Sequence, residues 1–117
     1  LGRRRLVAIA RAVASQPRFL LLDEPAAGLG DRESLELARN VRALADRMNL
    51  AILLVEHDMN FVMSVCDEIA VLDFGKRICY GTPEVVRNDE ATIRAYLGGE
   101  DEFITVTREE LTGVGQE

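Results

Sequence analysis

The stretch "LLLDEP", Leu20 to Pro25, poses a physical problem. Counting Phe19, four apolar residues run without interruption into two adjacent carboxylates and a proline. Apolar side chains gain from burial, whereas ionised carboxylates lose hydration unless they are paired or left at a wet edge. A continuous apolar run of this length, lacking polar alternation, reads as a strand of a parallel sheet covered on both faces. The acids then fall at its carboxyl end, the rim where open α/β sheets gather their ligands. Neighbouring residues on a strand point to opposite sides, so Asp23 and Glu24 are expected to have different jobs. One could hold Mg²⁺, a hard ion that takes oxygen ligands and keeps several waters. The other could orient or deprotonate an attacking water.

Working outward, the same alternation of elements continues. Residues 3–16, "RRRLVAIARAVASQ", carry a helical stripe of Leu6, Ile9, Ala10 and Val13, stopped by Pro17. After the glycine-bearing loop "PAAGLGD", Asp31 is the expected N-cap of a helix over about 32–48. Its stripe is Leu35, Ala38, Val41, Leu44, Ala45 and Met48. "LAILLVE" reads as a second buried strand, and Asp58 as the cap of helix "MNFVMSVC". "DEIAVLDFGKRICYG" reads as two strands joined at Phe74-Gly75. Thr82-Pro83 opens a short helix, and "EATIRAYLG" forms another, ended by Gly98-Gly99. The order αβαβαββαα predicts an α/β fold with a mainly parallel sheet and flanking helices. Residues 1–100 form this unit. Residues 101–117 are expected to be a mobile tail, with "FITVT" a candidate strand and Thr107 with Glu110 a candidate capping box.

Composition narrows the function classes. The 117 residues suffice for one domain with a core. A net charge of −6 argues against a nucleic-acid-binding face. The longest apolar runs are too short to span a bilayer, and no signal-peptide pattern opens the chain. Cys66 and Cys79 fit no zinc spacing and read as reduced thiols.

The single histidine, His57, stands in "VEHD" at the carboxyl end of the second buried strand. A lone histidine is ordinarily a surface or satisfied core residue. This one shares a sheet rim with Asp23 and Glu24, where an imidazole can meet a terminal phosphate or a polarised water.

"LLLDEP", then "AAGLG", then "LLVEHD" together resemble the ATP-binding subunit of ABC transporters. "GRRRLVAIARA" is similar to the end of that family's signature motif and its following helix. The resemblance implies a partial P-loop NTPase fold of the RecA-like ABC ATPase type. It implies that Asp23 serves Mg²⁺, Glu24 is the catalytic base and His57 senses the γ-phosphate of ATP. By the same likeness Gly2 belongs to the signature and Gly28 to the D-loop, Ala27 to Gly30, which contacts the opposite subunit of an ATP-bound dimer. "EPAAGL", "VEHDMNFVM", "VLDFGKRICYGTPEVVRND" and "IRAYLG" narrow the likeness to the cassettes that energise branched-chain amino acid uptake. The implied partners are a second ATPase subunit and transmembrane permease subunits. The implied location is the cytoplasmic face of the cell membrane. Arg3 stands where the family usually has glutamine, and Gly30 where its D-loop usually ends in Asp or Asn.

No G-x-x-x-x-G-K-[ST] occurs in these residues. That loop supplies the backbone N–H groups and lysine that cradle phosphates. The chain alone is therefore expected to lack ATPase activity. In the family's sheet, the strand feeding that loop lies between the "AILLV" and "EIAVLD" strands. Its lack leaves two open edges here, so the isolated chain is expected to self-associate or rearrange. Arg3, Arg4 and Arg5 read as a solvated helix face with a modest electrostatic role at most. Phe74 and Tyr80 read as turn and core residues. Two other classes stay open at this level: an ABC-type ATPase of DNA repair or chromosome maintenance, and a non-catalytic interaction module centred on Thr82 to Glu117.

Overall fold

The structure, a computed structural model, describes residues 2–96. The nine described elements are α1 (Gly2–Val13), β1 (Phe19–Asp23), α2 (Asp31–Met48), β2 (Ala51–Val55), α3 (Met59–Val65), β3 (Ile69–Asp73), β4 (Lys76–Gly81), α4 (Pro83–Arg87) and α5 (Glu90–Tyr96). Their order is the one the sequence predicts. The expected end of α5 at Gly98-Gly99, the "FITVT" strand and the tail lie outside the described residues.

Among those residues the strands form two sheets rather than one. β1 pairs with β2 in parallel, from Phe19↔Ala51 through Asp23↔Val55. β3 pairs with β4 antiparallel, with a bulge at Ile78 that shifts the register between Val71 and Leu72. No hydrogen-bonded ladder joins β2 to β3, so the edges expected to be open stand unpaired among the described strands.

The expectation of strands buried on both faces is corrected. Leu20, Leu22, Ile52 and Leu54 point to one face and join a core with Ile9, Leu37, Ala38, Val41, Phe61 and Val65. The helices α1, α2 and α3 all contribute to that one side. The alternate residues Phe19, Leu21, Leu53 and Val55 are each more than half exposed. Burying a side chain of this size is worth about 2 kcal/mol. That gain is realised on one face only.

Helix ends follow their local chemistry. α1 ends at Val13, three residues before the predicted stop, because Pro17 disfavours helical geometry at Gln16, which turns to φ 54°. The α1 stripe borders an apolar groove shared with Asn40, Val41 and Leu44 of α2. Asp31 does not cap α2. Gly30 occupies that position, and Asp31 lies in the first turn, where its charge complements the helix dipole. Asn49 closes α2 in the left-handed conformation. The buried face of α2 is Ser34, Leu37, Ala38 and Val41, so the predicted stripe missed Ser34 and Leu37.

Asp58 caps α3 as expected, its Oδ1 accepting from the Phe61 N–H at 3.1 Å. Arg42 of α2 donates to Val65 O at 3.1 Å and to Asp67 Oδ1 at 3.0 Å, closing the other end of α3. The Phe74-Gly75 turn has positive φ at both central residues, matching the right-handed twist of the β3–β4 hairpin. Thr82 caps α4, with Pro83 in its first turn. A Cβ at Gly81 would lie 2.8 Å from Val85 Cγ1, so glycine lets α4 fold back on its strand. Phe74 is a turn residue, 99% exposed. Tyr80 is not core: it is half exposed, bonded to Glu68 Oε2 at 2.9 Å, with Arg77 over its ring.

Candidate functional site

The site begins with the register of β1 against β2. Asp23 stands opposite Val55, and because the strands are parallel both carboxyl ends emerge on the same rim. Glu24 and Glu56 are each one residue further along, and His57 one beyond that. The Glu24 N–H donates to Val55 O at 2.7 Å, extending the ladder to the first residue of the loop. The sheet thus delivers the acid pair and the histidine side by side, as predicted from "LLLDEP" and "LLVEHD".

Asp23 ends β1 and is exposed. Glu24 leaves the strand at φ 46°, a left-handed conformation that costs a residue bearing a Cβ about 1–2 kcal/mol. The chain turns there, and Ala27 N–H donates back to Glu24 O at 3.1 Å. Glu24 therefore lies past the strand end, where the turn rather than strand alternation sets its direction. His57 Nδ1 lies 3.1 Å from Glu24 Oε1. Both side chains are more than half exposed, so their outer atoms remain accessible to a ligand.

Two residues that sequence reasoning missed hold this rim together. The Glu56 side chain is fully buried at 0% exposure. Its Oε2 accepts from Ala26 N–H at 3.0 Å, and its Oε1 accepts from His57 N–H at 3.0 Å and Asp58 N–H at 3.3 Å. A carboxylate at the end of an apolar strand, directly before the histidine, was the available signal. Arg5 is the second. Its Nη1 donates to Glu24 O at 3.1 Å and Pro25 O at 2.9 Å, and its Nη2 donates to Ala27 O at 2.7 Å. The basic run on α1 is therefore not wholly a solvated face. Nothing in its spacing distinguishes Arg5 from Arg3 and Arg4, which are exposed.

Gly28 sits in the β1–α2 loop at φ 77°, where glycine avoids the penalty that Glu24 bears. Gly2 opens α1 and approaches α2, where a Cβ would lie 3.1 Å from Glu33 Oε2. The structure thus brings Asp23, Glu24 and His57 to one rim, with Gly28 in the adjoining loop, and sets Gly2 beside the start of α2.

Among the described residues no group of three or more potential ligands forms a closed metal site. Two exposed carboxylates at a strand end still suit Mg²⁺, which is commonly held by one or two carboxylates with waters and phosphate oxygens. Among the same residues no helix is long and apolar enough to cross a membrane. The cysteines are free, and burial pushes the Cys66 thiol up to about 11.

Comparison with known proteins gives a consistent result. The family model described as branched-chain amino acid ATP-binding cassette transporter matches residues 76–102. The high-affinity branched-chain amino acid transport ATP-binding protein LivG of Salmonella typhi is 47% identical over 97 residues, 83% of this chain and 38% of that protein. BraF of Pseudomonas aeruginosa, described in the same words, is 44% identical over 97 residues, again 83% and 38%. The chain therefore spans under two fifths of the length of these curated relatives. The crystal structure of the ADP conformation of an ATP-binding cassette of an ABC transporter superposes with a TM-score of 0.72 at 27% identity, covering 84% of this chain and 40% of that one. On this fold, this rim and these likenesses, the chain belongs to the ATP-binding cassettes of ABC transporters, as a carboxyl-terminal portion most like the branched-chain amino acid uptake cassettes.

Proposed function

We propose that this chain supplies the acidic pair, the D-loop and the switch histidine of an ATP-hydrolysing cassette that drives solute import. The observation that carries this reading is the 3.1 Å approach of His57 Nδ1 to Glu24 Oε1 at the paired ends of β1 and β2. Glu24 is the base that takes a proton from the attacking water. With both ring nitrogens carrying protons, His57 donates from Nδ1 to Glu24 and offers Nε2–H to a terminal phosphate oxygen. Asp23 would hold Mg²⁺, which when bound would neutralise charge on the phosphates. Gly28 lies in the loop that meets a second ATPase subunit, and Gly2 ends the signature segment that faces that subunit's nucleotide. Residues 1–100 constitute the cassette portion. The relatives' printed names support branched-chain amino acids as the transported solute. The complete assembly then includes permease subunits and sits on the cytoplasmic face of the membrane.

The test is a chimera in which the upstream portion of such a relative precedes this chain. Mg²⁺-dependent ATP turnover is expected, and Glu24→Gln is expected to lower kcat by about 100-fold or more while nucleotide binding persists. Turnover that survives Glu24→Gln overturns the assignment of the base. The 117-residue chain alone is expected to show no ATP turnover.

A further inference from the structure

The loop bearing Glu24 is held from two opposite sides by groups of opposite charge. Arg5 arrives from α1 and donates to three carbonyls, those of Glu24, Pro25 and Ala27. Glu56 arrives from the end of β2 and accepts the one intervening N–H, that of Ala26. The same Glu56 carboxylate accepts the N–H groups of His57 and Asp58 with its other oxygen. Hydrogen bonds with an ionised partner are shorter and stronger than neutral ones, and a buried one is hard for water to replace.

We infer that Arg5 and Glu56 are positioning residues that lock the acidic loop to the histidine loop and so set the Glu24–His57 contact. This rests on the proposed roles of Glu24 and His57, and it identifies what holds them in place. The chemistry requires a carboxylate at position 56. Each of its oxygens must accept, one from Ala26 and the other from His57 and Asp58 in the loop that follows β2. A glutamine has one accepting oxygen and one donating NH₂, so it satisfies one loop and presents a donor to a donor at the other. Position 5 likewise requires the guanidinium fork, because one cation must span carbonyls from three residues. The left-handed Glu24 is consistent with this need: beyond one local turn bond from Ala27 N–H, its backbone is bonded by the Val55 carbonyl and Arg5, while Glu56 holds Ala26 two residues on.

The experiment is NMR on the full 117-residue chain, reading amide exchange together with the His57 ring nitrogen signals, with Glu24→Ala as the reference for a histidine lacking its partner. Glu56→Gln is expected to accelerate exchange about 10-fold or more at Ala26, or at His57 and Asp58, but not at both sets. Arg5→Met is expected to accelerate exchange at Ala27. Both variants are expected to move the His57 Nδ1 signal toward its position in Glu24→Ala. Exchange at Leu37 and Val41 monitors the core, and Arg5→Met, on a partly buried side chain, keeps the test open should Glu56→Gln fail to fold. An unchanged His57 signal in folded Arg5→Met, or acceleration spread evenly over the core amides, overturns the inference. These readouts need no nucleotide. A chimera without Glu24-dependent turnover therefore defeats the proposed function while leaving the lock intact, and an unmoved His57 signal defeats the lock alone.

Discussion

His57 Nδ1 lies 3.1 Å from Glu24 Oε1, although 32 residues intervene between them in the chain. The parallel register of β1 on β2 creates that proximity, and the contact itself is wet on its outer side. In the chimera, His57→Ala removes the ring proposed to bridge the acid and the terminal phosphate. A loss in kcat of about 100-fold is expected, with the KM for ATP changed by less than about 5-fold, since the ring acts on the reacting end rather than on the bulk of the nucleotide. Steady-state kinetics of the purified variant checks this. A large rise in KM at constant kcat would instead make His57 a simple binding residue.

Asp58 couples two helices. Its Oδ1 caps α3 through Phe61 N–H at 3.1 Å, and its Oδ2 accepts from Ser34 Oγ of α2 at 3.1 Å. Asp58→Ala removes the cap and strands a buried hydroxyl, an expected loss of about 2 kcal/mol. Ser34→Ala removes only the second bond, for about 1 kcal/mol. Urea unfolding of the two single variants and the double variant measures the coupling. Additive losses would show that the Ser34–Asp58 bond contributes nothing to stability.

The Asp89 carboxylate is held below its usual range, first by the Thr92 backbone N–H and then by the Thr92 hydroxyl. Both donate to Oδ2 at 2.9 Å at the start of α5. A carboxylate with a lowered folded pKa stabilises above its unfolded pKa, and that stabilisation is lost as pH falls through the folded value. Exchange at the Thr92 amide, corrected for intrinsic rate, is expected to be slow near pH 6 and to lose protection as pH drops below about 4. Asp89→Ala is expected to abolish this pH dependence at Thr92.

Burial holds the Cys66 thiol up to about 11, with the nearby Asp67 charge adding to it. The thiolate is the reactive form, and an ordinary cysteine titrates near 8.5. At pH 8, iodoacetamide is expected to modify Cys66 about 100-fold more slowly in the folded chain than in urea. The sign for stability is opposite to that of Asp89. The unfolded chain loses this proton first, so the contribution is complete below about 8.5 and declines between there and about 11. A Cys66→Ala chain is expected to show a flatter alkaline limb, after allowance for the cavity it introduces.

Phe19, Leu21, Leu53 and Val55 form an exposed apolar face beside an unpaired strand edge. Such faces and edges favour association. Sedimentation velocity is expected to show concentration-dependent species at about 10 µM, with Leu53→Lys shifting the balance toward monomer by about 10-fold. A single monomeric boundary across that range would contradict the prediction.

The order of elements, the hairpin turn, the cap at Asp58, the helix start at Thr82-Pro83 and the strand-end placement of Asp23, Glu24 and His57 were legible in the residues. Each depends on local chemistry: apolar runs, a proline at a first turn, short acceptors before a helix, and the direction in which a strand delivers its last residue. What remained hidden is non-local. Arg5 is indistinguishable by sequence from its two basic neighbours, and only the packing of α1 beside the acidic loop selects it as the donor to three carbonyls. Glu56 reads as one more acid at a rim, yet the tertiary fold buries it completely and surrounds it with N–H groups from two loops. Alternation along β1 predicted that Asp23 and Glu24 diverge, but Glu24 lies past the strand end, where a left-handed turn sets its direction. The side of the strands that is covered was likewise beyond local pattern, because an apolar run states what could be buried and the neighbouring helices set what is. Sequence thus specified which groups reach the rim. Contacts between segments distant in the chain set how those groups are aimed, since hydrogen-bond partners 20 to 30 residues away hold the loop that carries them.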